Sequence, residues 1–110
     1  MNISFQTGKM HKACSQRATM QKTYGKLASR LRQRLMELYA AETLADISHL
    51  PPARCHALTG NRAGQFAVDL GSNYRLIFRP DHAPVPRRDD GGIDLSQVTE
   101  ICILEIADYH

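Results

Sequence analysis

The chain has no acidic residue before Glu37, no Cys-x-x-Cys pair and no apolar run of membrane-helix length. Each absence excludes something. Three cysteines, Cys14, Cys55 and Cys102, are an odd number at unpaired spacings, which argues against a disulfide framework or a zinc knuckle and fits reduced thiols in a cytosol. A bilayer span needs about 20 apolar residues. Met1-Asn2-Ile3-Ser4-Phe5 also lacks the basic-then-apolar order of a signal peptide, so a cytoplasmic chain with no membrane partner is expected. Repeats and low-complexity segments are missing too. At 110 residues, one domain over 1–110 can bury a core unaided.

What is present is an uneven charge distribution beneath a net charge of only +3. Residues 1–41 hold eight Lys and Arg against Glu37 alone, a balance of +7, whereas residues 42–110 hold six arginines against ten acids, a balance of −4. The first third therefore offers a basic surface that attracts polyanions through a salt-dependent, sequence-blind attraction, or simply a solvated helix face.

Asn2-Ile3-Ser4-Phe5 alternates as a short strand. Residues 9–24 read as a helix with a thin apolar stripe, ended by Gly25. The spacing of Leu27, Leu31, Leu35 and Leu38 predicts a stronger helix over 26–41, with Arg30, Arg32 and Arg34 pointing in other directions. Leu50-Pro51-Pro52 then leads out of the helical region. Beyond it, His56-Ala57-Leu58 precedes the turn Thr59-Gly60-Asn61-Arg62-Ala63-Gly64, and residues 65–70 alternate as a strand. Gly71-Ser72-Asn73 makes another turn into residues 74–79. There Tyr74, Leu76 and Phe78 share one side, and Arg75, Ile77 and Arg79 the other. An arginine beside isoleucine on one face suits a functional face better than a core. Residues 80–96, rich in Pro, Gly and charge, read as an excursion between strands, and residues 98–107 as the closing strand. The sum is an α+β fold, an N-terminal helical hairpin packed on a small antiparallel β-sheet.

The candidate chemistry gathers late in the chain. An apolar strand ending in Asp108-Tyr109-His110 puts an acid, a phenol and an imidazole at a sheet rim. His56 precedes Arg62 by six residues, with Arg75 one strand further on. Neither standard phosphate-cradling glycine pattern occurs, which disfavours nucleotide-binding loops. His56, Asp108 and His110 are legal metal ligands, yet no two lie at a ligand-pair spacing, so neither metal nor cofactor is expected. Imidazole and guanidinium suffice for phosphoryl chemistry on RNA, whose 2′-OH supplies the nucleophile. In that reading His110 is acid or base, its protonated form favoured by its own α-carboxylate. Arg62 and Arg75 hold the phosphate, Asp108 and Tyr109 orient, and the basic helix residues Arg30 and Arg34 add RNA contacts. Each residue alone also has a structural reading: Tyr109 a core rim, Asp108 a strand-end cap, His56 a surface imidazole, Arg62 a turn-bracing group.

With the blocks from His56 to Gln65, from Asn73 to Phe78 and from Glu105 to His110 assembled, the chain resembles the RelE/ParE superfamily of bacterial type II toxins. Within it, the chain is most similar to the HigB-type plasmid maintenance killer proteins. The resemblance implies a small sheet against an N-terminal helix pair, and metal-independent cleavage of mRNA on the ribosome. It implies silencing by a helix-turn-helix, HigA-like antitoxin, through which alone operator DNA is bound. It also puts catalytic or RNA-contacting roles on His56, Arg62, Arg75, Asp108, Tyr109 and His110. Thr59 stands where HigB-type toxins can carry a phosphate-binding lysine, and residues 80–96 exceed the compact turn expected there. A non-catalytic or gyrase-directed module on the same fold is the alternative.

Overall fold

Leu31, Leu35 and Leu38, recurring every three to four residues, bury one stripe of the longest helix, and the sheet closes over that stripe. The computed structural model describes residues 1–71 and 73–108; Ser72, Tyr109 and His110 lie outside the described residues. In chain order the elements are β1 (Asn2–Phe5), α1 (Gly8–Ser15), α2 (Arg17–Tyr24), α3 (Ala28–Ala40), β2 (His56–Ala57), β3 (Phe66–Gly71), β4 (Tyr74–Pro80) and β5 (Glu100–Asp108). The strands form a five-stranded sheet in the order β1-β5-β4-β3-β2. Its helix side carries Phe66, Val68, Leu70, Leu76, Phe78, Ile101 and Ile103, all packed with the leucines of α3.

The α+β class with helices on one sheet face is as expected, with two differences. The sheet is mixed: β2, β3, β4 and β5 pair antiparallel, but β1 runs parallel to β5, Ile3 opposite Ile101 and Phe5 opposite Ile103. The chain returns from β1 through the helices and inner strands before β5 comes to lie beside it, so a crossover connection makes this ladder. The first arm of the expected hairpin is also two helices. Thr7 caps α1 by accepting from the Met10 amide at 3.1 Å, but Gln16 is extended (φ −129°, ψ 132°) and α2 starts afresh. Gly25 ends α2 at φ 53°, ψ −119°, a positive-φ conformation open to glycine and strained for other residues.

The 80–96 excursion has structure of its own. Arg87 and Ile93 form an isolated antiparallel bridge around a turn in which Asp90 accepts from the Gly92 amide at 2.8 Å. That amide, followed by Arg88, holds the Asp90 carboxyl below the usual carboxylate range. Among the described residues no helix is long and apolar enough to cross a membrane.

A guanidinium-rich candidate site on the open face of the sheet

Strand alternation sends every second side chain of β3, β4 and β5 away from the helices, and the registers arrange these in rows. One row runs His56, Ala67, Ile77, Glu105, and the next runs Asp69, Arg75, Ala107. Arg62, in the turn after β2, reaches across to β5: its guanidinium pairs with Glu105 and also donates to Gln65 at 2.8 Å. By register, Ala67 and Ile77 lie beneath this bridge, and both are fully buried without belonging to the helix-side core. The open face is thus a thin layer of charged arms over a small apolar floor.

Asp69 organises the second row. Its carboxylate accepts from Arg54 through both Nε (2.8 Å) and Nη2 (3.1 Å), a bidentate fork, while Arg75 Nε lies 3.6 Å from Oδ1. Hydrogen bonding to Asp69, followed by its charge, holds the Arg54 pKa above the ordinary arginine value. Arg54 and Arg75 thus both face this one carboxylate. They line a small polar cleft of about 150 Å³ with Gly71, Asn73 and Tyr74. Arg54 is held at φ 47°, unusual for a side chain of its size, and the Ala53 carbonyl accepts from the Asp69 amide at 2.7 Å, tying this segment to β3. His56 is oriented from the same segment. Its Nδ1 lies 2.8 Å from the Arg54 carbonyl, which can only accept, so Nδ1 carries the proton and a neutral ring keeps Nε2 as an acceptor.

The sequence-derived residues are thus partly assembled. Arg75 joins Asp69 and Arg54; His56 and Arg62 share its face one row away. Arg30 lies across Gly71 at the margin of the cleft, since a Cβ on that glycine would stand 3.2 Å from Arg30 Cδ. Arg34 requires correction as a phosphate-binding residue. It is 2% exposed, donating from Nε to the Asp69 carbonyl at 2.7 Å and from Nη1 to Glu37 at 3.3 Å, so its donors face inward and are engaged. Three residues after Leu31 and four before Leu38, it shares the leucine stripe, a spacing that marks it as buried. Asp108 pairs with Tyr74 and by register takes Tyr74's side of the sheet, opposite to Arg75. Tyr109 and His110 fall outside the described residues. Arg54 carried no signal in the sequence: its partner Asp69 is fifteen residues away, beyond a turn and half a hairpin.

The fold is the α+β architecture seen in YoeB/RelE-like toxins. A YoeB/ParE toxin from Agrobacterium tumefaciens superposes with a TM-score of 0.55 at 10% identity, covering 100% of this chain and 99% of that one. A chain of a YoeB-YefM complex from Staphylococcus aureus gives 0.55 at 14%, and a YoeB dimer from the same organism 0.52 at 17%, each covering 100% of this chain and 97% of the other. At these identities the likeness is one of fold. No protein-family profile matches the chain, and a sequence search of curated proteins finds no match.

Proposed function

We propose that the chain is the toxin of a type II toxin–antitoxin system, a HigB-like endoribonuclease that cleaves mRNA on the ribosome without a metal. The observation that carries this reading is the convergence of Arg54 and Arg75 on Asp69 beside a small polar cleft on the sheet's open face. The likeness to solved toxins, one of them described as a toxin–antitoxin complex, supports a protein antitoxin as partner. The helix-turn-helix, HigA-like type of that antitoxin, and operator binding through it, come from the sequence resemblance.

In the proposed reaction the scissile phosphate enters the cleft and recruits Arg75, whose contact to Asp69 is the looser one, while Arg54 stays clamped. His56 Nε2 takes the 2′-OH proton, and the 2′-oxygen attacks phosphorus. The P–O5′ bond breaks, the leaving oxygen receives a proton from His110, and a 2′,3′-cyclic phosphate and a 5′-hydroxyl result. Arg75, with Arg62 released from Glu105, stabilises the charge that develops on the non-bridging oxygens. Asp108 and Tyr109 orient the strand end that carries His110, and Arg30 guides the RNA backbone.

Induction of the wild-type chain should arrest growth and produce mapped mRNA cuts. Arg75→Ala and His110→Ala should each lower cleavage by about 100-fold or more, while the exposed Arg32→Ala should leave it unchanged. Growth arrest without cuts, persisting in both variants, would move the assignment to a gyrase-directed or purely binding module.

A further inference from the structure

The Arg62 guanidinium is held at two points in the isolated chain. Its Nη1 donates to Gln65 at 2.8 Å within its own turn, and its Nη2 meets Glu105 on β5, so the side chain spans β3 and β4. The turn does not depend on that second contact. Backbone bonds close it from the amides of Leu58, Arg62, Ala63 and Gln65 to the carbonyls of Gln65, Thr59, Gly60 and Arg62, at 2.9, 3.2, 3.1 and 3.0 Å. Gln65 tethers the guanidinium on its own. Side-chain exposures of 35% for Arg62 and 49% for Glu105 leave the ion pair open to water, where such pairs contribute little to stability. What the pair does is occupy a donor edge. A carboxylate and a phosphate take the same planar guanidinium fork, so Glu105 excludes an incoming phosphate from the atoms it holds. Asp69 stands in the same relation to Arg75 in the neighbouring row.

We propose that Glu105 is an internal competitor for the RNA backbone, masking Arg62 until a phosphate displaces it and so setting how tightly the open face holds its substrate. The inference rests on the nuclease reading for its ligand and adds the regulation of one cation at that site. Opening the pair opposes binding in the wild-type chain. Neutralising Glu105 therefore tightens RNA binding, whereas a carboxylate that served to position Arg62 would weaken binding when removed.

The test measures binding of a 2′-O-methyl RNA hexamer, which has no 2′-OH to react, to the full chain by fluorescence anisotropy at low salt. Glu105→Gln should bind about threefold tighter than wild type, the equivalent of one exposed ion pair, and melt within about 3 °C of it. Arg62→Ala should bind more weakly. Adding Glu105→Gln to Arg62→Ala should give no gain, because the carboxylate then has no guanidinium to mask. Unchanged or weaker binding by Glu105→Gln, with wild type still binding, overturns the inference and makes Glu105 a brace for Arg62. A gain that survives in the Arg62→Ala background overturns it as well, reducing the effect to general relief of negative charge. Failure of wild type and every variant to hold the hexamer would refute the nuclease reading, and this inference with it.

Discussion

Replacing Arg34 by methionine separates a structural arginine from an RNA-binding one. Methionine keeps most of the stem volume, so packing against Leu31, Leu35 and Leu38 is largely preserved and the change isolates the guanidinium. What is lost is the 2.7 Å charge-assisted hydrogen bond to the Asp69 carbonyl, at the point where the β3–β4 register shifts between Asp69 and Gly71. Such a bond contributes roughly 1.5–3 kcal/mol, and the carbonyl it leaves behind is shielded from water. Glu37 adds little to the loss, because its side chain is 38% exposed and water replaces Arg34 there. The expected destabilisation is about 2–3 kcal/mol, or a fall in Tm of roughly 8–12 °C for a domain of this size. Thermal melts of Arg34→Met beside the exposed control Arg32→Met measure it directly. A Tm within about 2 °C of wild type, accompanied by loss of RNA binding, would refute the buried assignment and restore Arg34 to the polyanion surface.

Gly71 sits at φ 83° against Arg30, so Gly71→Ala should cost about 1 kcal/mol, mostly through the positive φ because Arg30 can yield, and a urea melt should show it as a lower midpoint. Burial pushes the Cys55 thiol from its ordinary 9.0 up to about 11, so above pH 9 the unfolded chain binds fewer protons than the folded one. Stability should therefore be intact below pH 9 and fall as pH rises to about 11, and Cys55→Ser should flatten that slope; an unchanged slope would locate the alkaline loss elsewhere. For the arginine site, Arg75→Gln should lower the salt dependence of RNA binding by one single-strand phosphate contact, a slope change of about 0.7. Equal slopes for wild type and variant would remove Arg75 from the phosphate contacts.

Much of the fold was legible because periodicity reports burial. The leucines of α3 and the alternation of residues 74–79 put the right side chains on the right faces, and Arg75 beside Ile77 correctly marked a face that is not the main core. Partner direction was not legible. Nothing in Asn2-Ile3-Ser4-Phe5 distinguishes a strand that will run parallel to β5 from one that would pair antiparallel, because the choice is made by the path between them. The break at Gln16 was hidden for a related reason: it uses neither glycine nor proline. Arg34 was misplaced because its chemistry suggested a surface while its spacing from Leu31 and Leu38 pointed inward. Arg54 was missed because its role exists only once residue 69 is folded beside it.

The two sides of the sheet do separable work, and the link between them is one residue. Asp69 meets both. Its carboxylate clamps Arg54 and faces Arg75 on the open side, and its backbone carbonyl accepts from buried Arg34 on the helix side. The irregular ladder between Asp69 and Gly71 makes this possible, since a bulge changes where backbone groups point without moving the strand from the sheet. The position of the Arg54–Arg75 cleft is therefore set by α3 through Arg34 rather than by β3 and β4 alone. Arg34→Met is expected to loosen the cleft as well as the fold, whereas substitution of Arg75 should empty the cleft of its looser cation and leave the helix packing untouched. A variant series across these two positions distinguishes scaffold from chemistry at a distance of one peptide unit.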